Sequence, residues 1–178
     1  MTLDTIFQSW LARQLVEWKE FEPLTDLVSV TPCSGPPDMP DPAPQRYIAE
    51  FRCRGLGRSA NGAITVIDRF TIGIYFPDDH LRRVQPERLV TLLAPANVFH
   101  PNIQFPGVCP GHVRPGVGLV DLLYQVHSIL TYQNANMNDF LNADAARWAR
   151  EHCEEFPIDP RPLKRREISL SVEEALHP

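Results

Sequence analysis

The stretch Val98-Phe99-His100-Pro101-Asn102-Ile103-Gln104-Phe105-Pro106-Gly107-Val108-Cys109 sets an imidazole, a carboxamide and a thiol on one short piece of chain without helical or strand periodicity. A thiol is a few per cent thiolate near neutrality, and the thiolate is a strong nucleophile. A cysteine on such a loop is therefore a candidate for covalent catalysis. Cys53 and Cys153 differ, because they fall in periodic segments where a cysteine reads as a small buried hydrophobe. Spacing alone leaves Cys109 open between a nucleophile and an unreactive loop thiol.

Two further chemistries use the same residues. Cys109-x-x-His112 has the spacing of a zinc-ligand pair, and His152-Cys153 offers a second pair. Adjacent residues on a helix point apart, which counts against a shared ion. A cysteine hydrolase would pair Cys109 with His100, His112 or His127 as base. No third group can be assigned to orient that base, and His127 lies inside an apolar helical pattern.

These residues need a frame. From 95 to 118 the chain holds nine prolines and glycines and no periodicity, and a loop this long in a compact chain is usually functional. Leu119, Leu122, Leu123, Val126, Ile129 and Leu130 then mark a strongly apolar helix over 119–131. A second loop over 132–141 leads to Asn142, a good N-cap for a helix whose stripe is Ala146, Ala149, Cys153 and Phe156. Upstream, Phe7, Trp10, Leu11, Gln14, Leu15 and Trp18 predict an amphipathic helix over 3–21, capped by Thr2 or Asp4 and stopped by Pro23. Residues 32–44 carry six prolines and read as an extended loop: a hairpin connection rather than a proline-recognition segment.

Tyr47, Ala49, Phe51 and Cys53 fall on one face with the arginines on the other, and Phe70, Ile72, Ile74 and Phe76 alternate with Arg69, Thr71, Gly73 and Tyr75, so both segments read as strands. A turn around Gly55, Gly57, Asn61 and Gly62 separates them, and 88–93 reads as a further strand. Ser171-Val172-Glu173-Glu174 looks like a capping box for a short terminal helix. Strands grouped before helices predict an α+β fold with an antiparallel meander of four strands.

Composition narrows the function. One domain is expected for 178 residues, with 43% hydrophobic and 22% charged residues. A net charge of −5 gives no drive toward a phosphate backbone, so nucleic acid is not an expected partner. No run approaches 18 apolar residues, so no membrane span is expected. The first thirty residues carry Asp4, Arg13, Glu17, Lys19 and Glu20 and lack the basic start and apolar block of a signal peptide. Together with four scattered cysteines (Cys33, Cys53, Cys109, Cys153), this predicts a reduced, cytoplasmic setting.

Phe76-Pro77-Asp78-Asp79, His100-Pro101-Asn102-Ile103, Gly107-Val108-Cys109, the leucine-rich segment and Asn138-Asp139-Phe140-Leu141-Asn142 occur in this order. The set resembles the ubiquitin-conjugating enzyme (UBC) family, and His-Pro-Asn ahead of a cysteine is its most specific mark. The match runs over about 70–156; the leading helix and first strands fit in order only. The resemblance implies one UBC-like domain over 1–178, with an active-site region at 95–142 and a C-terminal tail at 157–178. It implies that Cys109 takes a ubiquitin-like protein from an activating enzyme as a thioester and passes it to an amine of a target protein. Asn102 would assist the transfer, Asp139 would flank the incoming amine, and His100 and Pro101 would brace the loop. The first helix, with Arg13 and Lys19, would meet the activating enzyme. No cofactor and no metal are implied. The main alternative is a non-catalytic UBC-like adaptor, although such relatives lack the cysteine.

The chain departs from the family pattern in places. The His-to-Cys interval is one residue short, and His80-Leu81-Arg82-Arg83-Val84-Gln85-Pro86 replaces the proline-rich segment after Phe-Pro. The stretch from there to His100 is longer, no tryptophan follows Cys109 before Trp148, and Phe140 stands where proline is usual. These departures bear on the ligase-facing surface more than on the thioester. They suggest a divergent member, of the kind found in bacterial operons that conjugate a ubiquitin-like protein, some of them antiviral.

Thioester exchange between thiols needs no dedicated base, but attack by lysine does. A lysine amine of pKa ~10.4 is almost wholly protonated at pH 7. A carboxylate at Asp139 would by itself favour the ammonium, so its use must be to orient the amine or take its proton in a desolvated site. The new oxyanion needs a donor, and Pro110 has no N–H. The Asn102 side chain is the nearest candidate in sequence; the alternative is that it only braces the loop through backbone bonds.

Overall fold

The computed structural model describes residues 5–33 and 43–165. The proposed caps Thr2 and Asp4, the Ser171–Glu174 segment and most of the proline-rich stretch lie outside the described residues. The first helix, α1 (Thr5–Phe21), buries Phe7, Trp10, Leu11, Gln14, Trp18 and Phe21, the face its three- and four-residue spacing predicts. A 3-10 turn at Glu22–Leu24 with Pro23 inside it ends the helix.

The strands are β1 (Val28–Pro32), β2 (Arg46–Phe51), β3 (Gly55–Arg58), β4 (Ile64–Ile67), β5 (Phe70–Tyr75), β6 (Val90–Ala94), β7 (Ile103–Gln104) and β8 (Gly107–Val108). A short helix, α2 (Pro86–Leu89), precedes β6. Two further helices follow, α3 (Leu119–Leu130) and α4 (Ala143–Glu151). The main sheet runs β1-β2-β5-β6-β8-β7, with every pairing antiparallel, and β3 and β4 form a separate hairpin. The expected four-stranded meander is thus its larger part, β1-β2-β5-β6. It grows to six strands because Gly107 pairs with Thr91 at the free edge of β6. The turn expected around Gly55 and Gly62 is the β3–β4 hairpin. The strand expected over 88–93 begins at Val90, because Arg88 and Leu89 close α2.

Alternation sorts the strand faces. Tyr47, Ala49 and Phe51 of β2 and Phe70, Ile72 and Ile74 of β5 are buried, and Cys53 continues that face just past β2. Against them pack α1 and α3, whose Leu119, Leu122, Leu123, Val126 and Leu130 are at most 2% exposed. The buried Gln14 ties the two helices together. Its Oε1 accepts the Leu119 N–H at 2.8 Å, at the N-terminus of α3. Gly118 allows this approach, since a Cβ there would lie 2.8 Å from the same oxygen.

Asn142 caps α4 by accepting the Ala145 N–H at 3.1 Å. Ala145, Ala146 and Ala149 are buried, but Cys153 is exposed. This corrects the expectation that Cys153 is core. The α-helix ends at Glu151 and the chain turns 3-10 over Cys153–Glu155, so the 3.6-residue stripe does not extend that far. The chain then packs back onto the body. Ile158 N–H donates to the Thr131 carbonyl, Arg165 N–H to that of Leu24, and Leu163 is buried. Asp159 is fully buried and accepts from the Arg54 and Arg161 N–H groups and the Arg161 guanidinium. Burial alone would raise its pKa, but these donors outweigh it and hold the carboxyl well below the usual range. Among the described residues no helix is long and apolar enough to cross a membrane.

Candidate active site

The stretch without periodicity contains a small hairpin, and the hairpin explains how His-Pro-Asn meets the cysteine. β7 and β8 pair Ile103 with Val108, so the next pair outward is Asn102 and Cys109. The Cys109 N–H donates to the Asn102 carbonyl at 2.9 Å. Cys109 is half-buried, and Gly111 beyond it takes φ +81°, which a residue with a side chain rarely adopts.

His100 braces the strip from inside. It is 1% exposed, and its Nδ1 accepts the Asn102 N–H at 3.0 Å. Since Nδ1 accepts, the neutral ring carries its proton on Nε2. Burial pushes this imidazole down to about 3, so it stays neutral across the physiological range. Its ring packs edge-on against Tyr132 at 4.3 Å. Tyr132 sits just past the end of α3 with φ 59°, a left-handed conformation that a tyrosine adopts at a cost of about 1–2 kcal/mol. That conformation is held by a 2.5 Å bond from the Tyr132 hydroxyl to the Phe99 carbonyl.

The second loop folds over the first. The Pro101 carbonyl accepts the N–H groups of Leu141 and Asn142, at 2.8 and 3.0 Å. The Asn102 carboxamide, 5% exposed, bridges the same gap. Its Oδ1 accepts the Asn136 N–H at 2.9 Å, and its Nδ2 donates to the Asp139 carbonyl at 3.1 Å. An amide nitrogen has two protons; the second has no acceptor among the described residues. The Cys109 N–H is already bonded and Pro110 has none, so this proton is the free donor nearest the thiol in sequence.

The result is a cleft of about 210 Å³ lined by Cys109, Asn102, His112, Asn134, Asn136 and Asp139, among others. Cys109, Asn102 and Asp139, named from sequence, are brought together there. Sequence reasoning missed Asn134 and Asn136; the signal was the alternation of asparagines over 134–138. Arg13 and Lys19 do not line the cleft; both are exposed on α1, with Arg13 paired to Glu17 at 3.3 Å.

The competing chemistries fare differently. Of the three histidines considered as bases, only His112 lines the cleft. His127 is buried in α3 and pushed down to about 4 by desolvation, and His100 is committed to the loop. Among the described residues no group of three or more His, Cys, Asp or Glu is placed to hold a metal ion. His152 instead stacks on Trp148 and bonds its carbonyl through Nδ1 at 2.8 Å.

No protein-family model matches the chain, and no curated protein matches it in sequence. Solved structures do. S. cerevisiae Ubc12 superposes with a TM-score of 0.58 at 23% identity, over 88% of this chain and 77% of that one. The E2 domain of a Toxoplasma gondii ubiquitin conjugating enzyme gives 0.48 at 20% identity, over 80% of this chain and 88% of that one. The chain has the UBC fold of yeast Ubc12: an N-terminal helix, an antiparallel sheet and C-terminal helices.

Proposed function

We propose that this chain is a conjugating enzyme for a ubiquitin-like protein, with Cys109 as its thioester carrier. The observation that carries the proposal is the convergence of Cys109 and Asn102 from one loop and Asp139 from another, beyond α3, on one cleft of a UBC fold. In the first step the Cys109 thiolate attacks the thioester of a ubiquitin-like protein on its activating enzyme. A new C–S bond forms and the activating enzyme's thiolate leaves. In the second step a lysine nitrogen of the target attacks the same carbonyl carbon. Its proton passes to Asp139 or to water, and the C–S bond breaks to return the Cys109 thiolate. Asn102 has a free Nδ2 proton for the oxyanion of this second step while its other two bonds hold the cleft wall. His100 and Pro101 keep the strip in shape and exchange no proton. Arg13 and Lys19, exposed on α1, form part of the surface that meets the activating enzyme.

The departures from the familiar pattern support a divergent member, and we place it with bacterial conjugation pathways of antiviral type. The test is to mix the chain with its activating enzyme, ATP and the ubiquitin-like protein, then add lysine. A conjugating enzyme forms an adduct cleaved by thiol reductant and hands it to lysine. An adaptor forms no adduct, and a hydrolase releases free ubiquitin-like protein without transfer.

A further inference from the structure

We infer that Asn136 is a positioning residue for the amine-attack step, an inference that rests on the function proposed above. Its backbone N–H donates to Asn102 Oδ1 at 2.9 Å. Its side-chain Oδ1 accepts the N–H groups of Asn138 and Asp139, each at 3.0 Å. This is an Asx-type turn, in which a short side chain substitutes for a backbone acceptor. The Asp139 carbonyl in turn accepts Asn102 Nδ2 at 3.1 Å. Three of these bonds close a ring: Asn102 side chain, Asp139 backbone, Asn136 side chain, Asn136 backbone, Asn102 again. The two groups assigned to amine attack are held in one register through Asn136.

The thiol is held separately. The Cys109 N–H bonds the Asn102 backbone carbonyl, which belongs to the β7–β8 hairpin and not to the ring. The bonds of Asn136 to Asn138 and Asp139 are solvent-exposed, and Asn136 itself is exposed. Water can replace them at little cost in stability, so what they supply is the position of Asp139. Small displacements of a positioned group lower the rate of the step it serves.

The experiment is single-turnover discharge to lysine from preloaded Asn136→Ala, Asn136→Asp, Asp139→Ala and the Asn136→Ala/Asp139→Ala pair. Asn136→Ala should load Cys109 at the wild-type rate and discharge about ten- to a hundredfold more slowly at saturating lysine. Asn136→Asp keeps the acceptor oxygen and should recover most of that rate. The double variant should be no slower than Asp139→Ala alone, because Asn136 acts through Asp139. Multiplying defects, an equal loss in loading, or an Asn136→Asp variant as slow as Asn136→Ala would overturn the role. A second readout needs no partner protein. Amide exchange at Asn138 and Asp139 in the unloaded chain should quicken in Asn136→Ala and not in Asn136→Asp, and unchanged exchange overturns the inference by itself. A wild-type chain that takes up no thioester overturns instead the functional reading beneath it, and the role with it.

Discussion

Replacing Asn102 by alanine separates the two chemical steps, and the structure sets the size of each effect. The truncation removes an acceptor from the Asn136 N–H and a donor from the Asp139 carbonyl, both part-buried. Leaving such groups short of a partner costs about 1–3 kcal/mol. For a chain of this size that is a fall in Tm of roughly 2–10 °C. It also removes the second Nδ2 proton, which has no acceptor among the described residues. Both steps place charge on the carbonyl oxygen, but thiol exchange starts from an anionic nucleophile and has the lower barrier, so the loss is felt chiefly when the lysine nitrogen attacks, where one such donor is typically worth ~3–4 kcal/mol. Discharge to lysine should therefore slow by about a hundredfold or more, while loading stays near normal because thiol exchange needs no deprotonated ammonium. The assay is single-turnover loading and discharge on the same preparation, with Tm measured alongside. Equal defects in loading and discharge, accompanied by the fall in Tm, would show that Asn102 only holds the two loops together. Normal discharge would remove it from the chemistry.

Asp139→Ala should load normally and discharge slowly, and raising the pH should partly restore it by supplying free amine, while Asn102→Ala gains no such rescue; profiles of discharge against pH separate the two. Charge reversal at Arg13 or Lys19, both exposed on α1, should slow loading in stopped-flow kinetics at low salt without lowering Tm; unchanged loading removes this face from the interface. Stability should fall on acidification. His100 and His127 are neutral in the fold, pushed down to about 3 and about 4, but gain protons below ~6.5 when unfolded, so the unfolded state binds more protons and stability is lost as pH drops from about 6.5. His127→Leu should flatten the denaturant-derived slope by about 1 kcal/mol per pH unit there.

The two long helices and β5 are legible in the sequence because each buries one face against one core, and periods of 3.6 and 2 record that directly. β3 is not legible. Its Gly55 and Gly57 read as turn residues, yet Gly55 is a buried strand residue packed so closely that a Cβ there would lie 2.4 Å from the Leu130 carbonyl. β1 hides for a related reason: Ser29, Thr31 and Pro32 dilute its pattern at a sheet edge, where polar residues and proline are tolerated. In the site, the residue types that do chemistry stand out at Cys109, Asn102 and Asp139. What holds them does not, since the bonds from Asn102 to Asn136 and Asp139 join loops that are separated by the whole of α3. Asparagines on a loop read as turn formers, and nothing in their spacing says which backbone they will hold.

The claim at the centre is that a ubiquitin-like protein is carried on the sulfur of Cys109, and mapping the adduct tests it most directly. Wild type, Cys109→Ala, Cys109→Ser and Cys53→Ala are incubated with activating enzyme, ATP and ubiquitin-like protein, then analysed by intact mass with and without thiol reductant. Wild type and Cys53→Ala should carry one adduct that reductant removes; Cys53 is fully buried and its thiol is pushed up to about 12 by desolvation. Cys109→Ala should carry none, and Cys109→Ser an adduct that reductant leaves intact, since an oxygen ester resists thiols. An adduct that persists on Cys109→Ala, or one lost with Cys53 instead, would contradict the account.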